Sequence, residues 1–248
     1  SNVGGAFTNI QDAINYVNNL GGGQIFIKNG TYVLTKLITL YSNIEIVGED
    51  PVNTIIDCNS NRYYFSAVGT AGSKLSNVKI SRLKFKQFRD STATNGAIFF
   101  NYVTASSVTE CQFTDNYSAV DAWGPDIYLV NSNTILVSKC TSTNSGQSIR
   151  LSSTTDSIID FLYTTGNKHD AIATDGGATT KSLHAGPIVW VTNSALGIFG
   201  GTAPFGGSWI GSSVSFPLIY TQNPTLIGAA YGFGGGDFVQ PTGRAVRD

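Results

Sequence analysis

The stretch from residue 115 to 175 concentrates the side chains able to do chemistry: Asp115, Asp121, Asp126, Arg150, His169, Asp170 and Asp175. Two carboxyl groups at a fixed separation can divide the work of cleaving a glycosidic bond, one as proton donor and the other as base or nucleophile. A base beside a cation suits proton abstraction next to a carboxylate instead. Asp115, Asp121 and Asp126 share their stretch with Tyr117 and Trp123. Sugar rings present apolar faces that stack on such aromatics. The expectation is that Asp115, Asp121, Asp126, Arg150, His169 and Asp170 are catalytic candidates, and that Tyr117, Trp123 and Asp175 contact carbohydrate. Asp115, Asp121, Asp126 and Arg150 should then share one outer face. The competing reading is structural, because Asp residues cap turns and a lone Arg on a strand pairs with a neighbour. His184 reads as structural.

The elements around these residues are short and repeated. The units Ser76–Phe85, Ser106–Phe113, Ser132–Cys140 and Thr155–Leu162 resemble one another at intervals of about 23 to 30 residues, the mark of a solenoid. Each holds a β-branched run with alternating apolar positions, and stacked coils of such strands share one continuous core. Leu83, Phe85, Cys111, Phe113 and Ile135 are expected to point inward and to stack between coils. Ile149 and Leu151 bracket Arg150 and turn it outward. Asn77, Asn116, Asn133 and Asn144 fall where the chain must turn, and Asn tolerates left-handed geometry; an internal asparagine ladder is the alternative. Ahead of the repeats, Phe7, Ile10, Ile14, Val17 and Leu20 lie at helical spacing. Thr8 with Gln11 makes a capping-box pattern, and Gly21, Gly22 and Gly23 end the helix.

Composition narrows the class. Only 12% of the 248 residues are charged and the net charge is -1. The polar surface is therefore built from Ser, Thr, Asn, Gln and Gly, as on secreted, cell-surface and virion proteins. No basic block marks a nucleic-acid or acidic-membrane partner, and no apolar run is long enough to span a bilayer. The first residue is Ser1, which suggests a processed chain or a fragment. Cys58, Cys111 and Cys140 are odd in number and lack metal-ligand spacing, so they read as buried apolar residues. No metal and no cofactor is expected.

The first 57 residues resemble the N-terminal segment of the pectin-lyase-like superfamily. The likeness rests on Phe7-Thr8-Asn9-Ile10-Gln11-Asp12-Ala13-Ile14, Gly21–Ile27, Gly30-Thr31-Tyr32, Ile46–Glu49 and Thr54–Asp57. It implies an all-β chain folded as a right-handed parallel β-helix with an N-terminal capping helix. Viral tailspikes and polysaccharide-degrading enzymes share that fold, which therefore leaves activity open. The superfamily's polygalacturonase signatures are missing, since there is no Asp-Asp, His-Gly or Arg-Ile-Lys sequence.

Near residue 176 the pattern fades and glycines accumulate. The expected division is a β-helix over 1–180 and a Gly-rich β module over 181–248, serving oligomerisation or receptor binding. Val214–Leu226 is similar to a strand–turn–strand pattern of phage fibre tips and H-type lectin modules. The tail carries Trp190, Phe199, Phe205, Trp209, Phe216, Tyr220, Tyr231, Phe233 and Phe238, more large aromatics than a small module easily hides, so a homotrimer is expected. Three functions remain: a viral tail spike or fibre binding host-surface glycans, a secreted lyase or glycoside hydrolase acting on acidic polysaccharide, and a cell-surface adhesin. Each places the chain on a virion or outside a cell, with carbohydrate as partner.

Overall fold

A computed structural model describes residues 7–89, 95–117, 124–168 and 172–174, and the strand backbones 184–185, 188–191, 199–201 and 219–220. Helix α1 (Ile10–Asn19) opens the described chain and lays Ile10, Ala13, Ile14 and Val17 on the first strands. Its N-cap is Asn9, whose side chain accepts from the amides of Gln11 and Asp12. The expected Thr8–Gln11 capping box does not form. Asn outranks Thr as a cap, and Gln11 has a different task. Its side-chain amide exchanges two hydrogen bonds with the Thr39 backbone, at 3.1 and 2.7 Å, satisfying a strand edge that would otherwise lie open.

The strands form three parallel sheets, and the chain visits them in rotation. Sheet 1 holds β1 (Gly23–Ile27), β4 (Ile44–Gly48), β7 (Leu75–Ser76), β8 (Lys79–Ser81), β11 (Val103–Thr109), β14 (Asn133–Ser138), β17 (Ile158–Asp160) and β20 (His184–Ala185). Sheet 2 holds β2 (Gly30–Val33), β5 (Thr54–Asp57), β9 (Lys84–Lys86), β12 (Gln112–Thr114), β15 (Thr141–Thr143), β18 (Leu162–Thr165), β21 (Ile188–Val191) and β23 (Ile219–Tyr220). Sheet 3 holds β3 (Ile38–Thr39), β6 (Phe65–Val68), β10 (Ile98–Asn101), β13 (Pro125–Val130), β16 (Gln147–Ser152), β19 (Ile172–Thr174) and β22 (Phe199–Gly201). Every strand pairs with its counterpart one coil away, so the fold is a parallel β-helix. The pairing does not stop at residue 180: β20 and β21 extend sheets 1 and 2 and β22 extends sheet 3. Apart from 184–185, 188–191, 199–201 and 219–220, the expected tail module lies outside the described residues.

Single left-handed residues turn the corners. Arg82, Glu110, Lys139 and Phe161 occupy successive coils between sheets 1 and 2, all with φ between 46 and 58°. Gln87, Asp115, Asn144 and Gly166 do the same between sheets 2 and 3. Left-handed backbone costs roughly 1–2 kcal/mol for a residue with a Cβ. Here coil-to-coil backbone bonds offset that cost, as when the Asp115 amide donates to Thr143 O at 3.1 Å and that of Asn144 to Thr165 O at 3.0 Å. At Gly166, with φ of 64°, a Cβ would sit 2.5 Å from Asn144 Oδ1, so a larger residue here must displace that exposed side-chain amide as well as hold the left-handed backbone. Asn77 and Asn144 are left-handed as expected, whereas Asn116 and Asn133 are not among the positive-φ residues.

The inward ladders make the core. Leu83, Phe85, Phe113 and Ile135 are all buried. Phe85 and Phe113 are in register and stack with ring centroids 5.4 Å apart, while Phe65 meets Phe85 edge-on at 5.1 Å. Cys58, Cys111 and Cys140 are free and buried. Following the sheet 2 ladder, Ile56 and Phe85 give way to Phe113, then to Ser142 and Thr164. The core therefore turns from aromatic to polar between β12 and β15.

Candidate functional site

That polar interior receives Asp126. It is the second residue of β13, and it is 0% exposed. Its Oδ1 accepts from Asn116 Nδ2 at 2.9 Å and its Oδ2 accepts from Ser142 Oγ. Burial pushes its carboxyl up from 3.8 to about 7, against the opposing pull of hydrogen bonds from Ser142, Asn116 and Ser145. Asn116 Oδ1 accepts from the Phe88 amide at 2.8 Å, and Asn167 Oδ1 accepts from the Ser145 amide at 2.9 Å. Asn167 Nδ2 donates to Ser142 Oγ and Ser148 Oγ at 2.7 and 2.8 Å. Asn116 is therefore a buried bridge between coils, not a left-handed turn. Gln147, in register with Pro125, buries both atoms of its amide without a protein hydrogen bond.

Asp126 was expected on the outer face, and the structure corrects that. A carboxyl enclosed by Asn116 and Ser142 cannot reach a saccharide outside the coils. Its burial is tolerated because two donors satisfy it and because the neutral form is accessible near pH 7.

Asp115 stands at the neighbouring left-handed corner, half-buried. Just past it, Tyr117 is held by its amide donating to Phe88 O at 3.1 Å. The Arg89 guanidinium carbon lies 3.9 Å from the Tyr117 ring centroid, and Lys168 Nζ lies 3.1 Å from it. Arg89 Nη1 also donates to the carbonyls of Phe88 and Asp115, which fixes its fork. This corner thus collects an aromatic ring and two cations from a span of four coils, with Lys168 reaching back over the β15 coil to the ring.

The outer face of sheet 3 carries the second feature. Ile98, Phe100, Ile127, Leu129, Ile149 and Leu151 point inward and are buried, so the residues between them face out. Phe99, Tyr128 and Arg150 are consecutive rungs of that outward ladder. Phe99 and Tyr128 have centroids 5.7 Å apart, and the Arg150 guanidinium carbon lies 5.1 Å from the Tyr128 ring. The rung before Phe99 is the buried Ser66; Tyr64 lies beside the row, edge-on to both Phe99 at 6.1 Å and the buried Phe88 at 5.9 Å, with its hydroxyl donating to Asn95 Oδ1 at 2.8 Å. Arg150 is outward, as its apolar flanks predict. Tyr128 is itself buried, between the half-buried Phe99 and Arg150, so the row exposes one aromatic ring and a guanidinium along the helix axis.

Of the nine residues singled out from sequence, the structure puts Tyr117 and Asp115 at one corner, Arg150 on the outer face of sheet 3 and Asp126 inside. Asp121, Trp123, His169, Asp170 and Asp175 lie outside the described residues. Arg89, Lys168, Tyr64, Phe99 and Tyr128 were not foreseen. Ile98-Phe99-Phe100 and Ile127-Tyr128-Leu129 held the signal: an aromatic on the polar phase of an alternating strand. Among the described residues, no group of three His, Cys, Asp or Glu side chains is placed to hold a metal ion. No described helix is long and apolar enough to cross a membrane.

No family model matches the sequence, and no curated protein matches it. Solved structures do. The catalytic domain of a GH87 α-1,3-glucanase in complex with nigerose superposes with a TM-score of 0.58 at 15% identity, over 88% of this chain and 43% of that one. The tailspike protein of E. coli bacteriophage HK620 in complex with a hexasaccharide gives 0.56 at 16% identity, over 86% of this chain and 52% of that one. PfbA, a surface adhesin of Streptococcus pneumoniae, gives 0.54 at 13% identity, over 74% and 57%. This chain therefore spans about half the length of each. At such identities the likeness establishes the fold.

Proposed function

We propose that this chain is the β-helix of a tail-spike or fibre-type protein that binds host-surface glycans, on a virion or otherwise outside a cell. The observation that carries this reading is the outward-phase row Phe99, Tyr128 and Arg150 along sheet 3, with Tyr64 packed beside it. A β-helix repeats its outer face at the spacing between strands, about 4.8 Å. An extended saccharide can therefore meet several rungs at once, through aromatic ring faces and a charged donor. Lodging Asp126 in the core removes one carboxyl from any surface pair, which favours binding over cleavage. The proposed protein acts as a homotrimer. In-register Leu136 and Ile158, with Phe161 and Tyr163, leave exposed apolar surface on the later coils that symmetric association would cover.

The test is a screen of the full-length chain against bacterial surface polysaccharides, with product analysis by mass spectrometry and mass determination by light scattering. Retention of a polysaccharide without shortening, on a trimer, is the expected result. New reducing ends or unsaturated products would replace this reading with an enzyme; a strict monomer at micromolar concentration would remove the trimer.

A further inference from the structure

The corner at Tyr117 has a charge pattern that the sheet 3 row does not explain. Arg89 and Lys168 come from different coils and converge on one ring, so their charged groups are no more than about 7 Å apart. Like charges at that distance repel, and among the described residues neither cation has a carboxylate within ion-pair distance. Arg89 is held by two backbone carbonyls. The ion pairs among the described residues are Lys86 with Asp57 and Lys139 with Glu110, both elsewhere in the fold. Asp115 accepts from Thr114 Oγ1 at 3.4 Å and forms no ion pair with either cation among the described residues.

We infer that this corner is a subsite for the anionic substituent of an acidic sugar, a carboxylate or a sulfate ester, with Lys168 as the contacting cation and Arg89 as the fixed one. The inference rests on the glycan-binding reading above and adds to it the charge class of the glycan. Lys168 is exposed on a flexible stem, so its ammonium can leave the ring and take an anion while the sugar meets Tyr117. The Arg89 guanidinium, clamped by the Phe88 and Asp115 carbonyls, needs no reorganisation to contribute its charge. An anion taken up by Lys168 beside this corner also gains from the Arg89 charge, so a mutual repulsion becomes two attractions, a gain that added salt screens.

Equilibrium binding of the full-length chain should be measured with oligogalacturonate, dextran sulfate and dextran of matched length, at low and at physiological salt. The expected pattern is binding of at least one anionic probe and a loss of at least ten-fold in Lys168→Glu. Lys168→Arg should retain most of the affinity, and melting should be unchanged in both variants. A preference between oligogalacturonate and dextran sulfate identifies the anion as carboxylate or sulfate. Failure of both anionic probes to bind, or equal binding by wild type and Lys168→Glu, would overturn the subsite. If a neutral polysaccharide from the wider screen still binds in that case, the glycan-binding reading survives without it; if nothing binds, both fall.

Discussion

Replacing Asp126 by Asn should change how stability depends on pH. The folded carboxyl has its pKa raised to about 7, from an ordinary value of 3.8, by complete burial. Between those values the native state keeps a proton that the unfolded chain releases. Stability therefore falls as pH rises through the window and levels off above the folded pKa. A shift of about three units corresponds to roughly 4 kcal/mol lost between about pH 4 and pH 8, at about 1.4 kcal/mol per unit. Asn has the shape of the protonated acid: its oxygen can accept from Asn116 Nδ2 and its amide can donate to Ser142 Oγ. Asp126→Asn should thus match the wild type near pH 4 and exceed it by a few kcal/mol at pH 8. Urea unfolding of both proteins across that range isolates this group, because every other carboxyl cancels in the difference. Parallel pH profiles, or a variant already unfolded at pH 5, would refute the argument that this corner favours a neutral carboxyl.

Other consequences follow from the same packing. Phe113→Ala removes a ring stacked on Phe85 and only 2% exposed, and should cost roughly 3–5 kcal/mol in urea unfolding. The three thiols should resist thiol-specific reagents in the native state and react on unfolding, since burial raises all three and pushes Cys140 up to about 12. Gly166→Ala should destabilise by about 1 kcal/mol or more, through its left-handed φ of 64° and the approach of Asn144 Oδ1, and a lowered melting temperature would report it.

The fold was legible because a β-helix writes its period into local sequence. Alternation at Leu83-Lys84-Phe85 and Cys111-Gln112-Phe113 reports the inward face directly, and the N-terminal segment sets the architecture. The site was legible only where a residue's own neighbours fix its direction. Ile149 and Leu151 turn Arg150 outward by strand parity alone. Asp126 defeats the same logic. Strand parity places it with outward-phase Tyr128, but Ser142 and Asn116 draw it inward. Those partners are 16 and 10 residues away in sequence and belong to the neighbouring coil and the corner itself. Asp115, a catalytic candidate by sequence, takes a left-handed corner, the kind of turn position that the competing structural reading of the Asp residues allows. The Tyr117 corner needs four coils stacked in register before Arg89 and Lys168 meet on its ring. Phe99 and Tyr128 were overlooked because an aromatic between two apolar residues looks like core until the strand phase is known.

The central claim is that the outer face of sheet 3 holds the glycan, and one comparison tests it most directly. The affinity of wild type for a polysaccharide retained in the screen should be set against that of Phe99→Ala/Arg150→Ala, two outward and half-buried rungs whose loss leaves the inward ladder intact. A fall of at least ten-fold with an unchanged melting temperature is the predicted result. Equal affinity in a folded double variant would place the glycan elsewhere and contradict the account.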